Sequence, residues 1–353
     1  MGIEPRLDQG GVVLATGDPA TVYRCNLELG LAVRVLLRLG RFHCRSLGEL
    51  VRKSARLPWN DWLLPGRYSV RAESRLSRLY HRDAIAERVV QAAASTLGGG
   101  PSAEPDAPSV LVRFLHDECT ISLDTTGRPL HDRGYRREPG PAPLREDLSR
   151  ALLLASGWDP TSTLIDPFAG AGTLLIEAAL LARRLAPGRN RTFAVADTRL
   201  FDPEVFARVQ AAAERRALPR APRLLGSDRR ADCIDMARRN AALAGVEGDL
   251  DLAVAPLSSS PWRDELAGAG AVVTDPPHGR RMGDPARLAL LYRSLGTWLA
   301  AAAPTCRIAI ASSDRRLALR TGLPLKTAFL STHGGAKLRA LVAAPDDDAG
   351  SAT

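Results

Sequence analysis

From residue 148 onward the chain repeats one pattern, a short apolar run of strand character followed by a longer run with helical spacing. TLIDPF leads to TLLIEAALLARRL, RLLGSD to ADCIDMARRNAALAG, and AVVTDPP to LALLYRSLGTWLAAAA, with RIAIASS closing the series. Strands buried on both faces need no apolar–polar alternation, and helices between successive strands imply a parallel sheet covered on both sides. The expected fold class is therefore α/β: a Rossmann-like domain over 148–344, preceded by a smaller α+β region.

The first half lacks that repeat. Short apolar runs (GVVLAT, LAVRVLLRLG) punctuated by Gly and Pro suggest a small α+β, ferredoxin-like segment over 1–45. Over 46–130 a helical SLGELVRKSAR precedes a strand-like RYSVRAES and a second helix, SRLYHRDAIAERVVQAAAST, which Gly98, Gly99 and Gly100 stop. Two strand-like runs, SVLVRFLHD and ECTISLDTT, then read as a hairpin. HDRGYRREPGPAPLRED (131–147) reads as a linker, and the small acidic residues 345–353 as a disordered tail.

Composition narrows the function classes. No apolar run reaches the roughly 18 residues of a membrane span, and the start lacks the pattern of a secretory signal. The five cysteines are scattered without a CxxC pair, which argues against zinc and disulfides and suits a cytoplasmic location. The formal net charge is +9. Between Arg41 and Arg82 ten basic residues face three acids, a local excess of the kind that attracts phosphates.

Two motifs carry chemistry. In DPFAGAGT the chain enters as a strand and leaves as a helix, so Asp166, Pro167, Phe168, Ala169, Gly170, Gly172 and Thr173 fall at a strand's carboxyl end, where open α/β sheets bind ligands. Glycine lets backbone approach a ligand closely, and Asp166 is placed to bind an ammonium. The turn is neither a dinucleotide fingerprint nor a phosphate-cradling loop. Asp228 ends the next strand-like run; it either accepts two ribose hydroxyls or caps the helix that follows. In the second motif an apolar strand runs into Asp275, Pro276, Pro277 and His278. The prolines stiffen the backbone and remove two donors, leaving the Asp275 carboxylate and the Pro276 carbonyl as acceptors. Two acceptors aimed at one point suit an exocyclic amine, and the His278 ring offers a stacking surface for a base.

With these residues in place, the chain resembles the THUMP-domain N2-guanine RNA methyltransferases of the Rossmann-like class. DPFAGAGTLLIEAALLARRLAPG is similar to that family's first cofactor motif, GSD with IDMARRNAALAGV to its second, and TDPPHGRRMGD to its Asn/Asp-Pro-Pro-aromatic motif. LYRSLGTWL follows in order, RGYRREPGPAPLREDLSRALLLASGW resembles the entry to the catalytic domain, and SRLYHRDAIAERVVQAA the RNA-binding THUMP module. The resemblance implies a class I fold and S-adenosylmethionine as cofactor. Asp166, Gly170 and Gly172 then line its methionine end and Asp228 holds its ribose, with Asp275 to His278 facing the target base. Arg71, Arg75, Arg78 and Arg82 contact phosphates of a structured RNA, transfer or ribosomal.

Three departures qualify it. His278 stands where the family usually has Tyr, Arg229 and Arg230 follow Asp228 where a second acid is usual, and Ala253 to Leu257 lacks the usual acid toward adenine. Loss of that contact weakens cofactor binding by about 1 kcal/mol. Two alternatives stay open: an N6-adenine methyltransferase using the same amine geometry, and an RNA-binding protein that kept the fold without the activity.

Overall fold

Three sheets organise the protein in this computed structural model, which describes residues 4–8, 11–15, 17–102, 104, 107–137, 144–278, 284–300, 306–333 and 335–344. The chain divides into two units: residues 1–130 with 191–215, and residues 131–190 with 216–353.

The first unit opens with a small hairpin of β1 (Arg6–Asp8) and β2 (Gly11–Val13), then α1 (Pro19–Glu28), capped by Asp18. Next come β3 (Leu36–His43), α2 (Leu47–Ser54), α3 (Trp59–Trp62), β4 (Ser69–Arg75), α4 (Arg82–Leu97), β5 (Ser109–Leu115) and β6 (Glu118–Asp124). The sheet order is β3-β6-β5-β4, with only β4 and β5 parallel. Leu50 of α2 and Ile85, Val89 and Ala93 of α4 pack on Val110, Val112, Ile121 and Leu123. The predicted hairpin is present: His116 and Asp117, at φ 51° and 62°, turn β5 into β6. Gly98, left-handed at φ 72°, ends α4 as expected.

β3, from the segment expected over 1–45, is hydrogen-bonded along its length to β6 of the segment that follows. One expectation in this unit changes. The helix expected from Ser77 begins only at Arg82, because the chain turns through Leu76 in the left-handed region (φ 50°) with no Gly or Pro to announce it.

The second unit begins with α5 (Glu146–Ser156), β7 (Leu164–Asp166) and α6 (Thr173–Ala182). The chain then returns to the first unit for residues 191–215, which include α7 (Pro203–Glu214). The buried Tyr23 explains this return: its ring meets Phe201 and Phe206 edge-on at 5.9 and 5.7 Å, and its hydroxyl accepts from the Asp202 amide at 2.8 Å. The expected span 148–344 is thus interrupted. β8 (Leu224–Asp228), α8 (Ala231–Ala244), β9 (Leu250–Val254), β10 (Ala271–Thr274), α9 (Pro285–Ala300), β11 (Arg307–Ser312), α10 (Arg315–Ala318), β12 (Lys326–His333) and β13 (Ala336–Ala343) complete it.

The seven strands run β12-β13-β11-β10-β7-β8-β9, the five from β11 to β9 parallel and β13 antiparallel to both its neighbours. Alternate side chains feed two cores: Leu164, Leu224 and Val273 on one face, Ile165, Leu225 and Val272 on the other. This accounts for the near-continuous apolar runs in the sequence. The expected linker, where described, is not solvent-borne, since Arg133, Tyr135, Leu144, Glu146 and Asp147 are all buried. The expected tail at 345–353 lies outside the described residues.

Candidate active site

At the carboxyl edge of the seven-stranded sheet, the ends of β7, β8 and β10 frame a cleft of about 720 Å³. Asp166 to Gly170 and Thr173 line it from the first turn, Asp228 from the next strand, and Asp275 to His278 from the third. Eleven of these expected residues therefore share one cavity although they span more than a hundred positions of sequence.

Asp166 is 2% exposed, and its Oδ1 accepts from the Phe168 amide at 3.0 Å and the Thr274 hydroxyl at 2.6 Å. Oδ2 keeps capacity to accept another donor. Burial pushes the Asp166 carboxyl up to about 7, aided by the nearby Asp275 and Asp228, against the lowering pull of its two donors. Asp228 accepts from the Gly170 amide at 3.2 Å through Oδ2 and from the Arg230 amide at 2.9 Å through Oδ1. The helix-capping alternative falls away, since the cap position of α8 is Arg230. Asp228 instead ties the first turn to the second strand.

Gly170 (φ 52°) and Gly172 (φ 80°) both take left-handed backbone. Gly170 lines the cleft, whereas Gly172 turns beneath it: a Cβ there would lie 2.9 Å from the Ala237 Cβ and 3.2 Å from its Cα. Gly172 thus serves the close approach of α6 to α8.

The Asp-Pro-Pro-His segment delivers the expected convergence in an unexpected way. His278 Nδ1 lies 3.0 Å from the Pro276 carbonyl oxygen and 3.3 Å from Asp275 Oδ1. Nδ1 thus donates to the Pro276 carbonyl, and Asp275 Oδ1 beside it has no hydrogen-bond partner among the described residues. Burial holds His278 below its ordinary range, so its ring is neutral at pH 7, and the same burial pushes the Asp275 carboxyl up to about 7. Three carboxylates around one cavity, two of them reluctant to ionise, suit a cationic ligand. Residues 279–283, which complete the quoted motif, lie outside the described residues.

Sequence reasoning missed several wall residues. Leu144 and Ser149 come from the segment at and beyond the expected linker, and Arg287, Leu288 and Leu291 from α9. Ser149 is fully buried and its hydroxyl has no partner among the described residues. Its setting in a charged run gave no signal of this. Where an acid toward adenine is lacking, the wall is Ala255, Pro256, Leu257 and Ser258.

The four expected RNA-contacting arginines do not share a helix face. Arg71 and Arg75 project from alternate positions of β4, Arg78 is in the loop after it, and Arg82 opens α4; all four are exposed. Arg113, exposed on β5 opposite Glu73, joins the face of Arg71 and Arg75 and was not foreseen. Among the described residues no cluster of three or more His, Cys, Asp or Glu could hold a metal, and no helix is long and apolar enough to cross a membrane.

Comparison with known proteins gives concordant results. Residues 133–322 match the RMKL-like methyltransferase-domain family, and residues 44–124 match the THUMP domain. A ribosomal RNA large subunit methyltransferase K/L of Ectopseudomonas mendocina is 33% identical over 92% of this chain, which spans only 47% of that relative. A putative RNA methyltransferase of Bacillus subtilis, YpsC, is 29% identical over 84% of this chain and 78% of its own length. The structure of SMU.472, described as a putative methyltransferase complexed with SAH, superposes with a TM-score of 0.86 at 26% identity, covering 98% of this chain and 92% of the other.

Proposed function

Since this chain belongs to the RMKL-like methyltransferase family and carries a THUMP domain, we propose that it transfers a methyl group from S-adenosylmethionine to the exocyclic N2 of guanine in ribosomal or transfer RNA, acting in the cytoplasm. The observation that carries this reading is that His278 Nδ1 donates to the Pro276 carbonyl oxygen at 3.0 Å while Asp275 Oδ1, 3.3 Å from the same nitrogen, has no hydrogen-bond partner among the described residues. An exocyclic amine presents N–H donors in the same plane, so those two acceptors can receive it once the imidazole swings aside. The large-subunit RNA relatives favour guanine in ribosomal RNA as substrate.

The cleft fits the cofactor. Asp166 Oδ2 can accept from an ammonium, Asp228 lines the same cleft and can accept from ribose hydroxyls, and the unpartnered Ser149 hydroxyl offers one more polar contact. S-adenosylmethionine supplies a sulfonium-bound methyl group, the electrophile of the reaction. Asp275 and Pro276 orient the amine for in-line attack and stabilise the positive charge that develops on nitrogen. The surplus proton then leaves to Asp275 or to water. The displaced His278 ring becomes a stacking surface for the base, while Arg71, Arg75, Arg78, Arg82 and Arg113 hold phosphates without reading sequence.

The experiment is calorimetric titration with S-adenosylmethionine, followed by nucleoside analysis of RNA incubated with protein and cofactor. Micromolar binding is expected, weakened by roughly 10- to 150-fold in Asp166→Ala, the equivalent of a charge-assisted hydrogen bond. N2-methylguanosine supports the reading and N6-methyladenosine replaces it with the adenine alternative. Absence of binding with and without RNA leaves an RNA-binding protein without activity.

A second prediction separates the two roles of His278. His278→Phe keeps an aromatic ring but cannot donate to Pro276, so it is expected to retain kcat/KM for RNA at or above the unaltered level. His278→Ala removes the stacking surface, worth roughly 1–3 kcal/mol, and is expected to raise KM for RNA. Equal loss in both variants, by steady-state kinetics, would contradict the stacking role.

A further inference from the structure

At the same sheet edge, two strands away from the Asp-Pro-Pro-His segment, four cations surround a second, more open cleft of about 610 Å³. Arg315 and Arg316 follow the end of β11, and Lys337 and Arg339 stand at the start of β13. The antiparallel register sets Ser312 opposite Arg339, which brings the two pairs together. Arg315, Arg316 and Lys337 are exposed; Arg339 is half-buried, with Nη1 3.5 Å from the Ser313 carbonyl.

Several cations elsewhere in this unit are paired. Arg183, Arg223, Arg230 and Arg238 each have a carboxylate partner, at 2.8 Å for the first two. None of the four around the second cleft forms an ion pair among the described residues. The carboxylate that lines it, Asp314, is exposed and caps α10, its Oδ1 accepting from the Arg316 and Leu317 amides at 2.8 and 3.2 Å. The repulsion among four close cations is relieved by an anionic partner, and one with regularly spaced charges relieves it best.

Position identifies the partner. Thr274 of β10 pairs with Ile310 of β11, so the chain leaves both strands at one edge, toward the base-accepting cleft and the basic one respectively. Neighbouring strands are about 4.8 Å apart, which puts β13 roughly 10 Å from β10, the scale of the nucleotides that flank a target base. We propose that Arg315, Arg316, Lys337 and Arg339 grip the phosphodiester backbone of the RNA substrate beside the methylated base. This rests on the reading of the first cleft as a base methyltransferase, and it gives the catalytic unit its own hold on RNA, separate from the THUMP-bearing unit.

The test uses the full chain and bulk transfer RNA as the structured polyanion, with affinity followed across a salt series. Arg316→Glu/Lys337→Glu is expected to weaken RNA binding at least about tenfold and to flatten the salt dependence by about one unit of slope per lost contact. Arg216→Glu/Arg238→Glu makes the same change of net charge elsewhere in the unit and is expected to leave both quantities near the unaltered values. S-adenosylhomocysteine affinity, measured on each variant, reports an intact first cleft. Unchanged RNA affinity in the first variant, or an equal loss in the control, overturns the proposal. Failure of the unaltered protein to bind S-adenosylhomocysteine instead counts against the methyltransferase reading.

Discussion

Asp275→Ala is expected to lower kcat for methyl transfer by about 10²–10³-fold, the usual effect of removing one preorganised polar group from a reacting centre. Cofactor affinity is expected to hold or improve. Asp275 helps to keep the Asp166 carboxyl up near 7, so its removal lets Asp166 ionise more fully and hold an ammonium more firmly. Asp275→Asn is the sharper variant. Its side-chain oxygen still accepts from the amine, so much of the rate survives, but the group no longer titrates. With Asp275 pushed up to about 7, the protonated acid that predominates below that pH is a weaker acceptor and cannot take up a proton. The unaltered rate at saturating cofactor is therefore expected to rise with pH through about 7, and the asparagine variant to lose that limb. A retained limb would assign the titration to another group, with Asp166 the first candidate.

The lesson of this site is which inferences survive the step from chain to space. That Asp275 and the Pro276 carbonyl would face one point was legible, because two prolines after a buried strand allow the backbone few alternatives. That His278 would supply the nitrogen between them was not, since it depends on a side-chain rotamer set by the cavity around it. Gly172 shows the same limit. Its need for glycine was legible from the motif, yet the reason is the closeness of Ala237 on another helix rather than a ligand. The return of residues 191–215 to the first unit left no trace in local pattern. It depends on Tyr23 meeting Phe201 and Phe206 across more than 170 positions. Strand and helix periods were readable from neighbours in sequence, whereas partners far apart in sequence were not.

The stretch read as a linker makes the strongest case, and it yields the largest expected effect on stability. Glu177 on α6 is fully buried. Its Oε1 accepts from Arg133 Nε at 3.2 Å and from the Tyr135 hydroxyl at 3.4 Å, and its Oε2 from Arg150 at 3.2 Å. A run such as HDRGYRRE looks solvated because each polar residue is unexplained by its neighbours; its counter-charge lies about 40 residues onward. Burying such groups gains little net energy when they are paired, but removing one partner strands the other's charge away from water. Glu177→Gln keeps the volume and loses the charge, and is expected to cost about 3–5 kcal/mol, a large share of the roughly 5–15 kcal/mol that holds a domain folded. Urea denaturation measures it directly. The loss should also reach the cleft, because the same network holds the segment that carries Leu144 and Ser149 against the helix that starts at Thr173. S-adenosylhomocysteine affinity is thus expected to fall in parallel with stability. An unchanged denaturation midpoint would mean that Arg133 and Arg150 find other compensation, and that the entry segment is fixed by Tyr135 and Leu144 packing alone.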